Sequence, residues 1–555
     1  MGATNWLGQP HHDGSGLYVD GRSHRLGDRI TVRLRVPVGW GETAVKLWVM
    51  RDGDPLRLPA GVIAANQTEK WYQATLPVDN PEVRYRWLVA REGGYHWVTA
   101  RGVFDRDVSA LGDFLLTTYG PPPAWSDDAI GYQIFPDRFA RSGRVVAAKP
   151  AWAREARWDD PPAPGGEASV RQWFGGDLFG LAEHADYLAD LGVSLVYLTP
   201  FFPAGSTHRY DASTFDRVDP LLGGDDALIE LAATLHRRGI RLIGDLTANH
   251  TGDTHEWFQR AQAARRGEVP PNEEQSFYYW PENSPLDIAK WQAALDAQWH
   301  PPGAEEAGLG DGTETRDDAA LGNGANSGGD RAPAKPQAPE YVAWLGVPSL
   351  PKLNWNSDAL VRRMIDGPDS VVGRYLAEPF NLDGWRIDVA HMTGRFAGDD
   401  LYQKVAKTIR RTMDAVKPDS LLIGEHFFDV SRDLPGDGWH GIMNYAAFLK
   451  PAWSWLASPT LDPSIWFVDV PLPVPRRDGQ RVVATMREFG SAAAWPQSSH
   501  AWNMLDSHDT SRMATIAPDP RLVEVGAALL LTYPGIPAIF SGAEGGAAGA
   551  TGEES

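Results

Sequence analysis

The chain has 555 residues, 43% hydrophobic and 22% charged, with 52 basic against 72 acidic residues and a net charge of −20. That length suits one large barrel with attached domains, and the acidic balance argues against nucleic acid or an anionic membrane as partner, since both need a basic footprint. Cysteine is absent, which excludes a disulfide framework and thiolate metal sites and fits a cytoplasmic location.

The start, Met1 to Gly14, has neither a basic n-region nor an apolar h-region, so no secretory signal is expected. No apolar run approaches membrane-spanning length. Residues 1–122 are expected to form an N-terminal β-sandwich. Alternating stretches such as RITVRLRVPV, AVKLWVM, KWYQATLPV, VRYRWLVA and YHWVTA recur there, separated by turn signals such as RDGDP and REGG. The segment TTYGPPPAW reads as a stiff exit linker.

From Ile130 short apolar runs alternate with amphipathic helical windows, the pattern of parallel βα units. The expected strands are AIGYQIF, SLVYLTP, RLIGDLT, DGWRID, LLIGEHF, GIMNYAA, AWNMLDS and IPAIFSG. Expected helices include LAEHADYLADLG, DALIELAATLHRRG, LYQKVAKTIRRTMDAV and RLVEVGAALLLTYP. Eight strands in this alternation predict an α/β (β/α)8 barrel over residues 123–250 and 355–555. Residues 251–354 interrupt it as an inserted domain after the third strand. Its Gly-, Ala-, Pro- and acid-rich part, about residues 301–339, predicts a disordered loop. Aromatic flanks (Phe277, Tyr278, Tyr279, Trp280 and Trp344) predict that the rest packs.

Three acids, Asp388, Glu425 and Asp509, sit late in three strand-like segments, where a barrel of this kind does chemistry. Arg386 and Asp388 share one strand face, so the guanidinium is expected to lower the Asp388 pKa and keep it ionised, as a nucleophile requires. Glu425 is followed by His426 and two Phe, and aromatic walls raise a carboxyl toward general-acid duty. His508 beside Asp509 offers an imidazole for a hydroxyl and a charge for a developing cation. At the third strand end His250 can bond a hydroxyl, while Asp245 and Asn249 are expected to tie the loop backbone. Tyr210, in HRYD after the second strand, offers an aromatic face. Each residue alone is as readily an ion pair, a cap or a packed ring.

Taken together, DLTANH, GWRIDVAH, IGEHF and SHD in this order resemble the α-amylase superfamily of retaining glycoside hydrolases, family 13. VYLTP and PKLNW agree with it, and the resemblance covers about residues 128–542. DGWRIDVAHM and GEHFFD look most like the maltodextrin glucosidase, cyclomaltodextrinase and neopullulanase branch, and the N-terminal sandwich resembles its starch-binding-like domain. The resemblance implies Asp388 as nucleophile, Glu425 as acid/base and Asp509 as transition-state stabiliser. It implies Tyr210, His250, Arg386 and His508 around the reacting sugar, with His391 on the leaving-group side. It further implies an α-glucan oligosaccharide substrate, double displacement with the two carboxyls roughly 5–5.5 Å apart, and a homodimer. No dense Asp/Asn loop of EF-hand type occurs, so neither metal nor cofactor is expected.

The resemblance departs at the end. After IPAIFSG the usual Asp-Glu step is replaced by Gly542, Ala543 and Glu544, and the Gly- and Ala-rich tail cannot supply a last barrel helix or a C-terminal β-domain. Exposed apolar surface between the last and first helices is therefore expected. The competing functions are a transglycosylase or trehalose-forming isomerase of the same superfamily, and a non-catalytic carbohydrate-binding protein.

Overall fold

A computed structural model describes residues 6–146, 148–163, 166–299, 340–431, 433–459 and 476–549. The N-terminal region builds two facing antiparallel sheets. Arg29–Pro37, Glu69–Pro77 and Gly61–Ala65 form one; Asp54–Pro59, Glu42–Arg51, Glu82–Arg91, Gly94–Thr99, Gly102–Phe104 and Phe114–Thr117 form the other. Alternation decides which side chains lie between them. Val32, Leu34 and Val36 from one strand meet Val45, Leu47 and Val49 from another, all buried, as a half-buried strand of period two requires. The exit segment is tied down. Arg22 donates to the Pro122 carbonyl, Arg410 to that of Gly120, and the Trp125 indole to that of Asp419.

Eight parallel strands follow: Gly131–Ile134, Leu195–Leu198, Arg241–Thr247, Gly384–Asp388, Leu421–Gly424, Gly441–Ile442, Trp502–Asn503 and Ile536–Phe540. The first pairs with both the second and the eighth. A single bridge between Met443 and Trp502 joins the sixth to the seventh, closing the ring. Neighbouring residues on one strand serve opposite cores. Tyr132, Val196, Leu242, Trp385 and Leu422 pack in one buried cluster, and Leu195, Tyr197, Ile243, Leu421 and Ile423 in another. A one-residue slip would exchange the two sets, so register is strongly fixed.

The helices fall where the apolar period predicts them. Gly224–His236, Tyr402–Val416 and Pro520–Thr532 are continuous, whereas the first barrel helix breaks at His184 into Leu178–Glu183 and Ala185–Asp190. The sixth and seventh strands are far shorter than their apolar runs. After Gly441–Ile442 the Asn444 side chain accepts from the Ala447 N–H and turns the chain into the π-helical turn Tyr445–Leu449. A polar cap therefore overrides strand propensity there. Among the described residues no helix is long and apolar enough to cross a membrane.

The inserted segment packs through its aromatic flanks. Phe277, Tyr278, Tyr279 and Trp280 are all buried. The expected loop at 301–339 lies outside the described residues. At the tail the eighth strand is followed by the short turn Ala543–Gly545. Glu544 accepts from Tyr132 at 2.7 Å and from Tyr187 at 2.6 Å, fastening the tail to the first strand and first helix. Val525 and Leu531 on the last described helix, with Tyr187 and Leu191 at the first, remain exposed.

Two features fix the fourth strand, which carries the chemistry. Gly384 begins it at φ +156°, and a Cβ there would lie 2.0 Å from the Leu421 carbonyl oxygen of the next strand. Just before it, buried Asp383 accepts from His236, Arg241, Lys417 and the Leu242 N–H. Burial alone would raise that carboxyl, but these donors hold it down to about 2.

Candidate active site

The fourth strand projects Arg386 and Asp388 from one face. Its register places Asp245 of the third strand opposite Arg386 and Thr247 opposite Asp388. Glu425 is the first residue beyond the fifth strand, Leu421–Gly424. The fully buried Arg386 guanidinium therefore gathers three carboxylates. Its Nη1 donates to Asp245 Oδ2 and to Asp388 Oδ1, both at 2.9 Å, and its Nη2 donates to Glu425 Oε1. Asp509 is not in a strand. It lies in the loop after Trp502–Asn503, reached through Tyr445, whose hydroxyl donates to Asp509 Oδ2 at 3.4 Å. With its side chain 31% exposed, Asp509 faces the opening while the other three carboxylates are buried.

Val389 follows Asp388 in the left-handed region, φ 43° and ψ 41°. A β-branched residue is strained there, at a cost of about 1–3 kcal/mol, and such strain collects at functional sites. The turn it makes has a use: the Val389 N–H donates to Glu425 Oε2 at 2.6 Å, so the residue after one acid orients the other.

The electrostatics correct one expectation. Arg386 does not hold Asp388 low. Burial and the facing Glu425 push the Asp388 carboxyl well above the usual range, against the pull of the guanidinium. One cation is divided among three acids, so desolvation and mutual repulsion prevail. Burial also raises Asp245 to about 6 despite Arg386, and the partial loss of water around Asp509 raises that carboxyl too. Groups this close exchange protons as a set.

Aromatic and imidazole groups surround the acids. Tyr210 and His508 lie nearly parallel, centroids 5.5 Å apart, with the Tyr210 hydroxyl against His508 Nε2. Gln133 meets His508 Nδ1, and burial pushes that imidazole down to about 3. With the proton on Nε2, a chain runs from Gln133 through His508 and Tyr210 to Asp245 Oδ2, the last link at 3.1 Å. Tyr197 donates to the same oxygen at 2.6 Å. His250 stacks under Trp344 of the inserted segment, 5.1 Å between centroids. His391 stands apart from the Arg386 cluster, packed among His426, Phe427 and Phe428 beside Glu425.

Asp245 and Asn249 do not tie loop backbone, as the sequence suggested. Asp245 takes three side-chain donors, and Asn249 Oδ1 accepts from the Lys352 ammonium. Tyr197, Tyr445, Gln133 and Lys352 escaped sequence reasoning. Gln133 carried the one available signal, a lone polar residue in an apolar strand run.

Acids at the C-terminal mouth of a closed parallel barrel define an enzyme-like (β/α)8 site. The chain belongs to the α-amylase family: the model of its catalytic domain, "Alpha amylase, catalytic domain", matches residues 133–434. That match contains Asp388 and Glu425 and stops before Asp509. A cyclomaltodextrinase of Geobacillus thermopakistaniensis is 28% identical over 430 residues, covering 77% of this chain and 57% of that protein. Neopullulanase 2 of Thermoactinomyces vulgaris is 26% identical over 557 residues, covering 97% of this chain and 78% of that protein. A solved cyclomaltodextrinase structure shares the fold, with a TM-score of 0.61 at 23% identity, covering 98% of this chain and 79% of that one. The chain spans little more than half the length of the first curated relatives it matches, 57% and 56%.

Proposed function

We propose that the chain is a retaining α-glucan hydrolase that cleaves maltodextrins or cyclodextrins by double displacement. One observation carries this reading: Asp388 and Glu425 occupy the two arms of one buried guanidinium at the barrel mouth. Names of the similar proteins, cyclomaltodextrinase and neopullulanase, support the substrate class. The likeness to an intracellular maltogenic amylase, together with the absence of cysteine, supports a cytoplasmic setting.

In the first step the Glu425 O–H proton passes to the glycosidic oxygen, and the breaking C1–O electron pair leaves with that oxygen. An Asp388 oxygen forms the new bond to C1. Water then attacks C1 and gives its proton to Glu425, while the pair of the ester bond returns to Asp388. Two inversions restore the α configuration. The double displacement requires Asp388 to attack as the carboxylate, and the Arg386 Nη1 donor at 2.9 Å from Asp388 Oδ1 is the group that stabilises that form once substrate is bound. Asp509, at the open side, opposes the positive charge that develops at C1. His508, engaged at both ring nitrogens by Gln133 and Tyr210, holds the Tyr210 ring beside the acids, and His250 supplies an imidazole for a ring hydroxyl.

The test is a product profile on maltotriose, pullulan and β-cyclodextrin, with the anomer of the first-formed sugar followed by proton NMR. Cleavage of at least one substrate with the α-anomer appearing first is expected. A β-anomer first would overturn the retaining mechanism, and cleavage of none would overturn the substrate class.

A further inference from the structure

The inserted segment returns to the barrel through Pro351, Lys352 and Leu353, and its backbone joins the third-strand loop. Thr251 donates to the Pro351 carbonyl at 3.2 Å, and Leu353 donates to that of Asn249 at 3.0 Å. Lys352, only 3% exposed, crosses this junction. Its Nζ donates to Asn249 Oδ1, on the loop after the third strand, and at 3.1 Å to the Met392 carbonyl, after the fourth. Both acceptors are neutral oxygens. Burial lowers the ammonium to about 7, as expected for a cation taken from water with no carboxylate among the described residues paired to it. The Trp344 indole reaches the Met392 sulfur and its ring covers His250. The residues that Lys352 holds each adjoin the reacting centre. Asn249 precedes His250, and Met392 closes the turn whose Val389 N–H orients Glu425.

We propose that Lys352 is a positioning residue: its ammonium clips the third-strand loop, the fourth-strand turn and the returning insertion together, and so sets His250 and Glu425 relative to Asp388. This rests on the hydrolase reading. The clip works through Asn249 and Met392 rather than by touching substrate. A neutral side chain of similar length can fill the volume but cannot donate to either oxygen, so the two loops lose their common anchor while the core around them stays packed.

Lys352→Met and Lys352→Ala in the full chain test it. Lys352→Met should keep cooperative unfolding yet lose on the order of 10²-fold in kcat on maltotriose, the scale set by displacements of about 1 Å, with KM nearly unchanged. Lys352→Ala should regain activity saturably when ethylammonium occupies the vacated volume. Amide hydrogen exchange gives a readout independent of turnover: in Lys352→Met the protection of residues 249–252 and 389–394 should fall, and that of the N-terminal sandwich should not. Wild-type kcat in Lys352→Met, or unchanged exchange in those two loops, would overturn the proposal. So would collapse of both variants without recovery by ethylammonium, which would mark the lysine as purely structural. A wild-type protein inert on every glucan would defeat the hydrolase reading instead, leaving the exchange comparison to decide the clip.

Discussion

Asp388→Asn should reduce kcat on maltotriose by on the order of 10⁴-fold or more, the scale of removing a nucleophile that acts in concert with its partners, without lowering the melting temperature. The amide cannot form the ester to C1, so no first step replaces the lost one. The fold should tolerate it because the native carboxyl is raised by burial and by Glu425. A raised folded pKa means that stability present below the unfolded value, about 4, is lost as pH rises toward the folded one. Removing the group removes that loss, so any gain in melting temperature should grow toward neutral pH. A kcat within about tenfold of wild type, only some 1.4 kcal/mol of barrier, would reject Asp388 as nucleophile.

Arg386→Met should be costlier to the whole molecule. It leaves Asp245, Asp388 and Glu425 buried around an apolar side chain, and breaking a buried ion pair from one side costs about 3–5 kcal/mol. Activity should vanish with it, since no group then spans the two acids. The deficit has a pH signature. Asp245 and Asp388, already raised by burial and raised further without the guanidinium, bind protons in acid and are relieved there, so the deficit should be small near about pH 4 and grow toward pH 7. Urea unfolding across that range measures it. A deficit independent of pH, or larger in acid, would mean that Arg386 is not what neutralises the cluster.

The barrel was legible because each strand of the ring falls within one of the eight apolar runs, and because period-two alternation separates the two cores. Strand lengths were not legible at the sixth and seventh positions. There Asn444 caps a π-turn, and the long excursion from Asn503 to Asp509 looks in sequence like more strand. The electrostatics were the least legible part. Pairing Arg386 with Asp388 two residues away is a local inference and predicts a lowered pKa. The registers that bring Asp245 and Glu425 onto the same guanidinium are set by strands far away in sequence, and they reverse the sign. Lys352 was hidden for a similar reason. Nothing in PKLNW says that its amine crosses to Asn249 and Met392, because that contact exists only once an insertion of roughly a hundred residues has folded back onto the barrel.

The account centres on a covalent intermediate at Asp388, and one mass-spectrometric measurement reaches it directly. In Glu425→Gln neither a protonated leaving group nor an activated water is available, but α-maltosyl fluoride needs no acid to depart. Incubation with that fluoride should load the variant with one maltosyl unit, recovered after proteolysis on the peptide carrying Asp388. Absence of any adduct, or its recovery on a peptide carrying another carboxylate, would contradict the account.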